Sequence, residues 1–235
     1  SRYTGPRARI SRRLGTNIFG TRGETQALEK RPYPPGIHGR SRRRGAQNTA
    51  YLAELQEKQK ARFSYGLNER QFRRIYDEAS RRKGVTGDNM LKFLELRLDN
   101  VIYRAGWGAT RPQARQFVSH GHVNVNGKRV NVPSYRVRKG DVVEIRDKSR
   151  NNVVLLWNKD VLDRTPPAWL EREDDWKIKV YNEPLREQID VPIREQLIVE
   201  LYSKGGRPRR CQQRRRRLHP PRPRRPPSRS RRNPT

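Results

Sequence analysis

Residues 110 to 132, TRPQARQFVSHGHVNVNGKRVNV, hold the side chains of this chain best suited to gripping an anion: Arg111, Arg115, His120, His122, Lys128 and Arg129. Guanidinium groups fork onto phosphate oxygens and a lysine acts as a point cation, so the chemistry on offer is binding a polyanion rather than breaking a bond. Local pattern positions these groups. Thr110 and Gln113 form a capping box with Pro112 in the first turn, which predicts a helix beginning at Arg111. Ala114, Phe117 and Val118 give that helix one apolar stripe, and Arg111 and Arg115, four apart, are expected to face solvent together. Gly121 supplies a left-handed helix end, after which Val123, Val125, Val130 and Val132 alternate around Asn126-Gly127, the strongest two-residue hairpin signal. Lys128 and Arg129 follow the turn directly, so cations from helix and hairpin could converge on one anionic surface, with nucleic acid the first hypothesis.

Other chemistry is poorly supported. The spacing from Gly121 to Lys128 does not fit a nucleotide-binding loop, because five residues separate Gly121 from Gly127 and Arg129 stands where a Ser or Thr is needed. His120 and His122 have no further His or Cys nearby to complete a metal cage. Glu171, Glu173, Asp174 and Asp175 are nearly consecutive and read as a solvated face. The lone Cys211 excludes a disulfide framework within the chain. No catalytic residue, metal site or cofactor is therefore expected, and an enzyme is not.

Composition points the same way. The 235 residues include 55 Lys and Arg against 24 Asp and Glu, for a net charge of +31. Such a charge repels itself in a compact monomer, so a polyanionic partner is the economical explanation. A membrane is the competing polyanion, but no run approaches the roughly 18 apolar residues of a spanning helix, and SRYTGPRARISRRLG lacks the apolar core of a signal peptide. Retention inside a cell or organelle is expected. The charge sits at the ends: residues 1 to 50 carry 12 basic and 2 acidic side chains, and residues 204 to 235 carry 14 basic and none acidic.

The expected organisation is α+β, a helical domain plus a small α/β module of two helices on a short sheet with a hairpin, flanked by basic irregular arms. Residues 1 to 47 read as an arm, with Arg40, Arg42, Arg43 and Arg44 near its end and prolines and glycines in RPYPPGIHG opposing regular structure. Residues 48 to 90 read as the helical domain. Its first helix should present Tyr51, Leu52, Leu55 and Phe63 on or near one face, with Glu54, Glu57, Lys58 and Lys60 elsewhere. Asn68 and Gln71 cap a second helix, expected to pack on the first as a hairpin. A third runs from Asp88 to about Arg104, with Leu91, Leu94, Leu98, Val101 and Ile102 buried and Arg97, Asn100 and Arg104 outside. The module covers residues 91 to 150, with further strands expected at 134 to 137 and 141 to 145. Residues 151 to 184 extend it in a pattern that is hard to read. Residues 185 to 204 are apolar enough to return and complete the helical domain, and 205 to 235 form an Arg/Pro-rich tail expected to be disordered when free.

LELRLDNVIYRAGWGATRPQARQFVSHGHVNVNGKRV closely resembles the RNA-binding module named after small-subunit ribosomal protein S-four. RPYPPGIHG, EKQKARFSYGLNERQF and EQLIVELYSK extend the resemblance to the bacterial-type ribosomal protein family itself, across residues 1 to 204. The resemblance implies a structural constituent of the small ribosomal subunit, cytoplasmic or organellar. Such a protein is a primary binder of small-subunit ribosomal RNA at a multi-helix junction in the 5′ domain, nucleating assembly. It implies neighbours too: ribosomal protein S-five, and messenger RNA near the channel by which it enters, with an effect on translational accuracy. By motif position it carries over Arg97, Arg104, Arg111, Arg115, His120, Lys128 and Arg129, with Tyr65, Arg70 and Arg73, as RNA contacts. Some relatives bind zinc through N-terminal cysteines, which this chain lacks, and the family pattern stops near Lys204, so the tail's role is not supplied.

Overall fold

The computed structural model describes residues 3–39, 49–162 and 164–205. Arg40, Arg42, Arg43 and Arg44, and the tail from residue 206 onward, lie outside the described residues.

The N-terminal segment, expected to be irregular, forms two helices, α1 (Arg7–Leu14) and α2 (Arg22–Lys30). Ile10, Leu14 and Ile18 bury themselves together, with Phe19 and Phe63 packed against them. A buried carboxylate clips the unit shut, for Glu24 accepts the backbone N–H groups of Ile18 at 3.0 Å and Phe19 at 3.2 Å and the Ser11 hydroxyl. Ile10 and Leu14, four apart, share one helical face that the surrounding arginines obscure in the sequence. Within RPYPPGIHG there is one turn of 3-10 helix, Ile37–Gly39, where no regular structure was expected.

Three helices follow: α3 (Ala50–Ser64), α4 (Glu69–Ala79) and α5 (Thr86–Glu95). The Asn68 side chain accepts the Gln71 N–H at 2.8 Å, capping α4 as its sequence requires. The helix expected to run unbroken to Arg104 stops at Glu95 and restarts as α6 (Leu98–Arg104), with Arg97 extended at φ −71°, ψ 136°. The break has a hydrogen-bonding cause. The Leu96 carbonyl accepts the Val137 N–H and the Leu98 N–H donates to the Tyr135 carbonyl, so this stretch pairs across the chain instead of along a helix. Residues 134 to 137 thereby make a single bridge, Arg97 to Arg136, rather than the expected strand.

After α6 come α7 (Arg111–Ser119), β1 (Val123–Val125), β2 (Lys128–Arg129), β3 (Val142–Ile145), the short α8 (Asp147–Arg150), α9 (Val153–Val161), β4 (Leu170–Asp174) and β5 (Lys177–Val180). The strands form one sheet, antiparallel at every pairing, in the order β2-β1-β3-β5-β4. Residues 151 to 184 thus supply a helix and two strands. Leu98, Val101, Ile102, Phe117, Val118 and Trp107 from the helical side meet Val123, Val143, Ile145 and Ile178 from the sheet in one core.

The chain then returns, as its apolar residues suggest. Ile189, Ile193 and Ile198 join Phe72, Met90 and Leu94 in a second core, and α10 (Glu195–Gly205) lies along α3 while α4 packs on α5. No α3–α4 hairpin dominates. The buried face of α3 is also not the expected one: Glu54, Glu57, Lys58 and Ala61 point inward, whereas Tyr51 is 63% exposed, although Phe63 packs against the N-terminal cluster. Charged partners explain the difference. Glu54 takes Lys204 at 2.7 Å, Lys58 takes Glu69 at 2.9 Å, and Glu57 accepts the Arg194 N–H.

Candidate nucleic-acid interface

The residues expected to contact RNA divide into an interior set and an exposed set. At the centre of the first is Glu95, fully buried where the helical unit meets α6. Its carboxylate accepts the Tyr65 hydroxyl at 2.6 Å, the Asn100 amide at 2.7 Å and two Arg104 N–H groups at 3.1 Å each. Arg104 also reaches Asp190 at 2.9 Å, which ties in the returning chain. Burial alone would push the Glu95 carboxyl up, but Arg104, Arg111 and the Tyr65 hydrogen bond outweigh it and hold it below the usual carboxylate range. The Tyr65 hydroxyl is pushed well up, by burial first and by the neighbouring Glu95 carboxylate second.

A second buried pair adjoins it. Arg97 grips Asp99 with both arms of its guanidinium, at 2.8 and 3.1 Å, and Arg115 reaches the same carboxylate at 3.1 Å. Arg111 donates to the Asn100 side-chain oxygen at 2.9 Å and lies over the rings of Tyr65 and Tyr103. The expectation that Arg97, Asn100 and Arg104 face outward is therefore corrected: they are 4%, 2% and 8% exposed. Arg111 and Arg115 do not stand free in solvent either, but are half-buried and turned onto these partners. The spacing i, i+3, i+7 assumed a helix unbroken through Arg97; Arg97 is extended instead, and residues 133 to 137 and α7 close over the start of α6. In this conformation Tyr65, Arg97 and Arg104 direct polar atoms at protein partners.

The exposed set is Arg70 and Arg73 on α4, and His120, Lys128 and Arg129 at the hairpin. The Thr110 hydroxyl accepts the Gln113 N–H at 3.4 Å, and the Gln113 side chain reaches back one residue further than expected, to the Ala109 N–H at 2.6 Å. Asn126 and Gly127 both take positive φ, 50° and 74°, as the two-residue turn demands. Arg129 then folds back over the end of α7 and reaches the His120 carbonyl at 3.5 Å. Gly121 makes room for it, since a Cβ there would lie 2.3 Å from the Arg129 Nε. Arg146, absent from the sequence-derived set, donates to the Gly121 carbonyl at 3.1 Å. Its signal was the antiparallel register, which pairs Val123 with Ile145 and brings residue 146 beside His122. His122 bonds the Ser149 hydroxyl at 2.9 Å, and its pKa is lowered by burial first and then by His120, Arg146 and Arg129. Arg129 from the hairpin and Arg146 from the end of β3 thus both reach the end of α7.

Among the described residues, no cluster of three or more His, Cys, Asp or Glu could hold a metal ion, and no helix is long and apolar enough to cross a membrane. A basic helix packed through an apolar core on a small sheet and its hairpin defines an RNA-binding module, and the family described as the S4 domain matches residues 96–143. The family described as Ribosomal protein S4/S9 N-terminal domain matches residues 2–95. The chain is 55% identical over 206 residues to the small ribosomal subunit protein uS4 of Saccharopolyspora erythraea, and equally to that of Nocardia farcinica, with 87% of this chain and 100% of each relative covered. To uS4 of Mycobacterium tuberculosis it is 56% identical over the same shares. The chain belongs to the uS4 family of small ribosomal subunit proteins, of bacterial type, and is a structural protein rather than an enzyme.

Proposed function

We propose that this protein binds small-subunit ribosomal RNA directly, at a multi-helix junction in the 5′ domain, and so nucleates assembly of the subunit. The observation that supports this best is the convergence of His120, Arg129 and Arg146 around Gly121, beside the exposed Lys128. Rigid mounting of these groups on a shared core would let junction shape, rather than sequence, decide recognition. Arg70, Arg73, Arg111 and Arg115 extend the proposed contact set, with Arg40, Arg42, Arg43 and Arg44 assigned from sequence. A place beside ribosomal protein S-five, near the channel by which messenger RNA enters, and an influence on translational accuracy rest on the family resemblance alone. The divisions at residues 47, 90, 150, 184 and 204 rest on the sequence pattern, the charge gathered at the two ends and the spacing of apolar residues between them.

Footprinting of the full-length protein on naked small-subunit RNA is the test. Protection clustered on the helices that meet at one 5′-domain junction is expected; protection elsewhere, or none, would overturn the reading.

A further inference from the structure

A cleft of about 580 Å³ opens between the N-terminal helices and α7. Its volume falls within the range of roughly 300–1,000 Å³ typical of small-ligand pockets. Its walls differ in chemistry. Tyr3, Phe19 and Phe63 supply rings on one side, with Tyr3 edge-on to Phe63 at 5.7 Å between centroids. Arg7 and Arg115 bring cations to the same space, Arg115 from beside the Asp99 carboxylate that it holds, His120 adds an imidazole, and the Arg7 guanidinium carbon lies 5.7 Å from the Phe19 ring centroid. On α7, the exposed Gln116 amide can both donate and accept.

We propose that this cleft receives one unpaired nucleotide of the bound RNA, its base against the aromatic wall and its phosphate on the cations. The inference rests on the RNA-binding reading above and names what that interface takes in beyond backbone. A base in a duplex presents no open ring face, so only a nucleotide swung out of the stack can use such a wall. Stacking on aromatic rings tolerates any base, and the Gln116 amide adds a hydrogen-bonding edge that could prefer one. A purely apolar ligand would leave Arg7 and the Gln116 amide on the cleft wall unmatched. The site was invisible in the sequence because its rings come from residues 3, 19 and 63 and its polar and charged groups from residues 7, 115, 116 and 120.

The test uses full-length protein and the junction fragment of small-subunit RNA, made in a series with a single abasic nucleotide at each unpaired position. One position is expected at which loss of the base weakens wild-type binding about tenfold, within the range for removing one stacked base. At that position Phe19→Leu, which keeps the apolar packing, and Tyr3→Ala, which alters an exposed ring, should bind intact and abasic RNA nearly alike. If wild type binds the junction but no position is sensitive, the cleft holds no base and the ribosomal-RNA reading stands. A sensitive position whose penalty is unchanged in both variants also overturns the proposal and leaves the cleft to a protein neighbour. Failure of wild type to bind the intact junction overturns both readings together.

Discussion

Glu95 and Arg104 stand at the end of α5 and the end of α6, and the guanidinium closes on the carboxylate through two N–H···O bonds of 3.1 Å each. The pair bridges the two cores of the molecule. Because Arg104 also holds Asp190, one carboxylate orients the helical unit, the start of the S4 domain and the returning chain together.

Glu95→Gln should be costly, since it leaves the Arg104 guanidinium charged in a buried site without its principal counter-charge. Breaking a buried ion pair from one side costs about 3–5 kcal/mol. Urea unfolding should show a loss of that size; a loss below about 1 kcal/mol would mean that Asp190 alone satisfies Arg104.

Acid sensitivity follows from the same group. The Glu95 carboxyl is lowered in the fold relative to its ordinary value of 4.5, so its contribution is complete above that pH and disappears as the pH falls through the lower folded value. Thermal unfolding followed from pH 7 to pH 3 should show the midpoint falling on the acid side, and Glu95→Gln should flatten that limb. An equally steep limb in the variant would assign acid unfolding to other carboxylates.

Arg97→Ala and Lys128→Ala should fail in different ways. The first removes the two-point grip on the buried Asp99 carboxylate, leaving it Arg115 alone, and should lower stability by several kcal/mol, while the second removes an exposed cation and should leave the unfolding curve in place. Lys128→Ala should instead reduce the slope of log affinity against log salt by about 1, the signature of one lost phosphate contact. Equal stability losses in the two variants would contradict the division between interior and exposed cations.

Gly121→Ala combines two effects. Its φ of 73° strains an L side chain by roughly 1–2 kcal/mol, and the new methyl group occupies the place of the Arg129 guanidinium. Junction affinity should fall at least as far as in Arg129→Ala, because the displaced arginine no longer points where the interface needs it. Affinity equal to wild type, with the hairpin intact by NMR, would show that Arg129 is not held in place by this contact.

The 14 cations from residue 204 onward have no acidic residue among them. Each phosphate neutralised adds roughly 0.7 to 0.9 to the salt slope, so truncation after Lys204 should flatten it and weaken binding to junction and unrelated duplex alike. Binding measured to both RNAs at two salt concentrations decides this. A truncation that abolishes preference for the junction, or leaves the slope unaltered, would be inconsistent with a purely electrostatic tail.

Features whose signal is local were legible in the sequence: the Thr110 and Asn68 caps, the Asn126-Gly127 turn and the Ala114, Phe117, Val118 stripe all depend on neighbours within four residues. Arg97 and Arg104 were misplaced because their spacing assumed a helix unbroken through Arg97, and the covering segments come from residues 133 to 137 and 190. On α3 the inward face is charged, an arrangement that makes sense only once Lys204 meets Glu54, 150 residues away in sequence. Ile10 and Leu14 went unread because a three-residue apolar cluster gives too little contrast against a background of arginine.

The path of α10 also has a consequence for synthesis. The S4-domain core is complete once Val180 has been made, whereas the helical unit waits for Ile189, Ile193 and Ile198 to fill it and for Lys204 to meet Glu54. On a translating ribosome the part encoded in the middle can therefore close first, while the part encoded before it stays open until nearly the last turn of α10 emerges. A nascent chain released early would carry a finished hairpin on an unfinished mount.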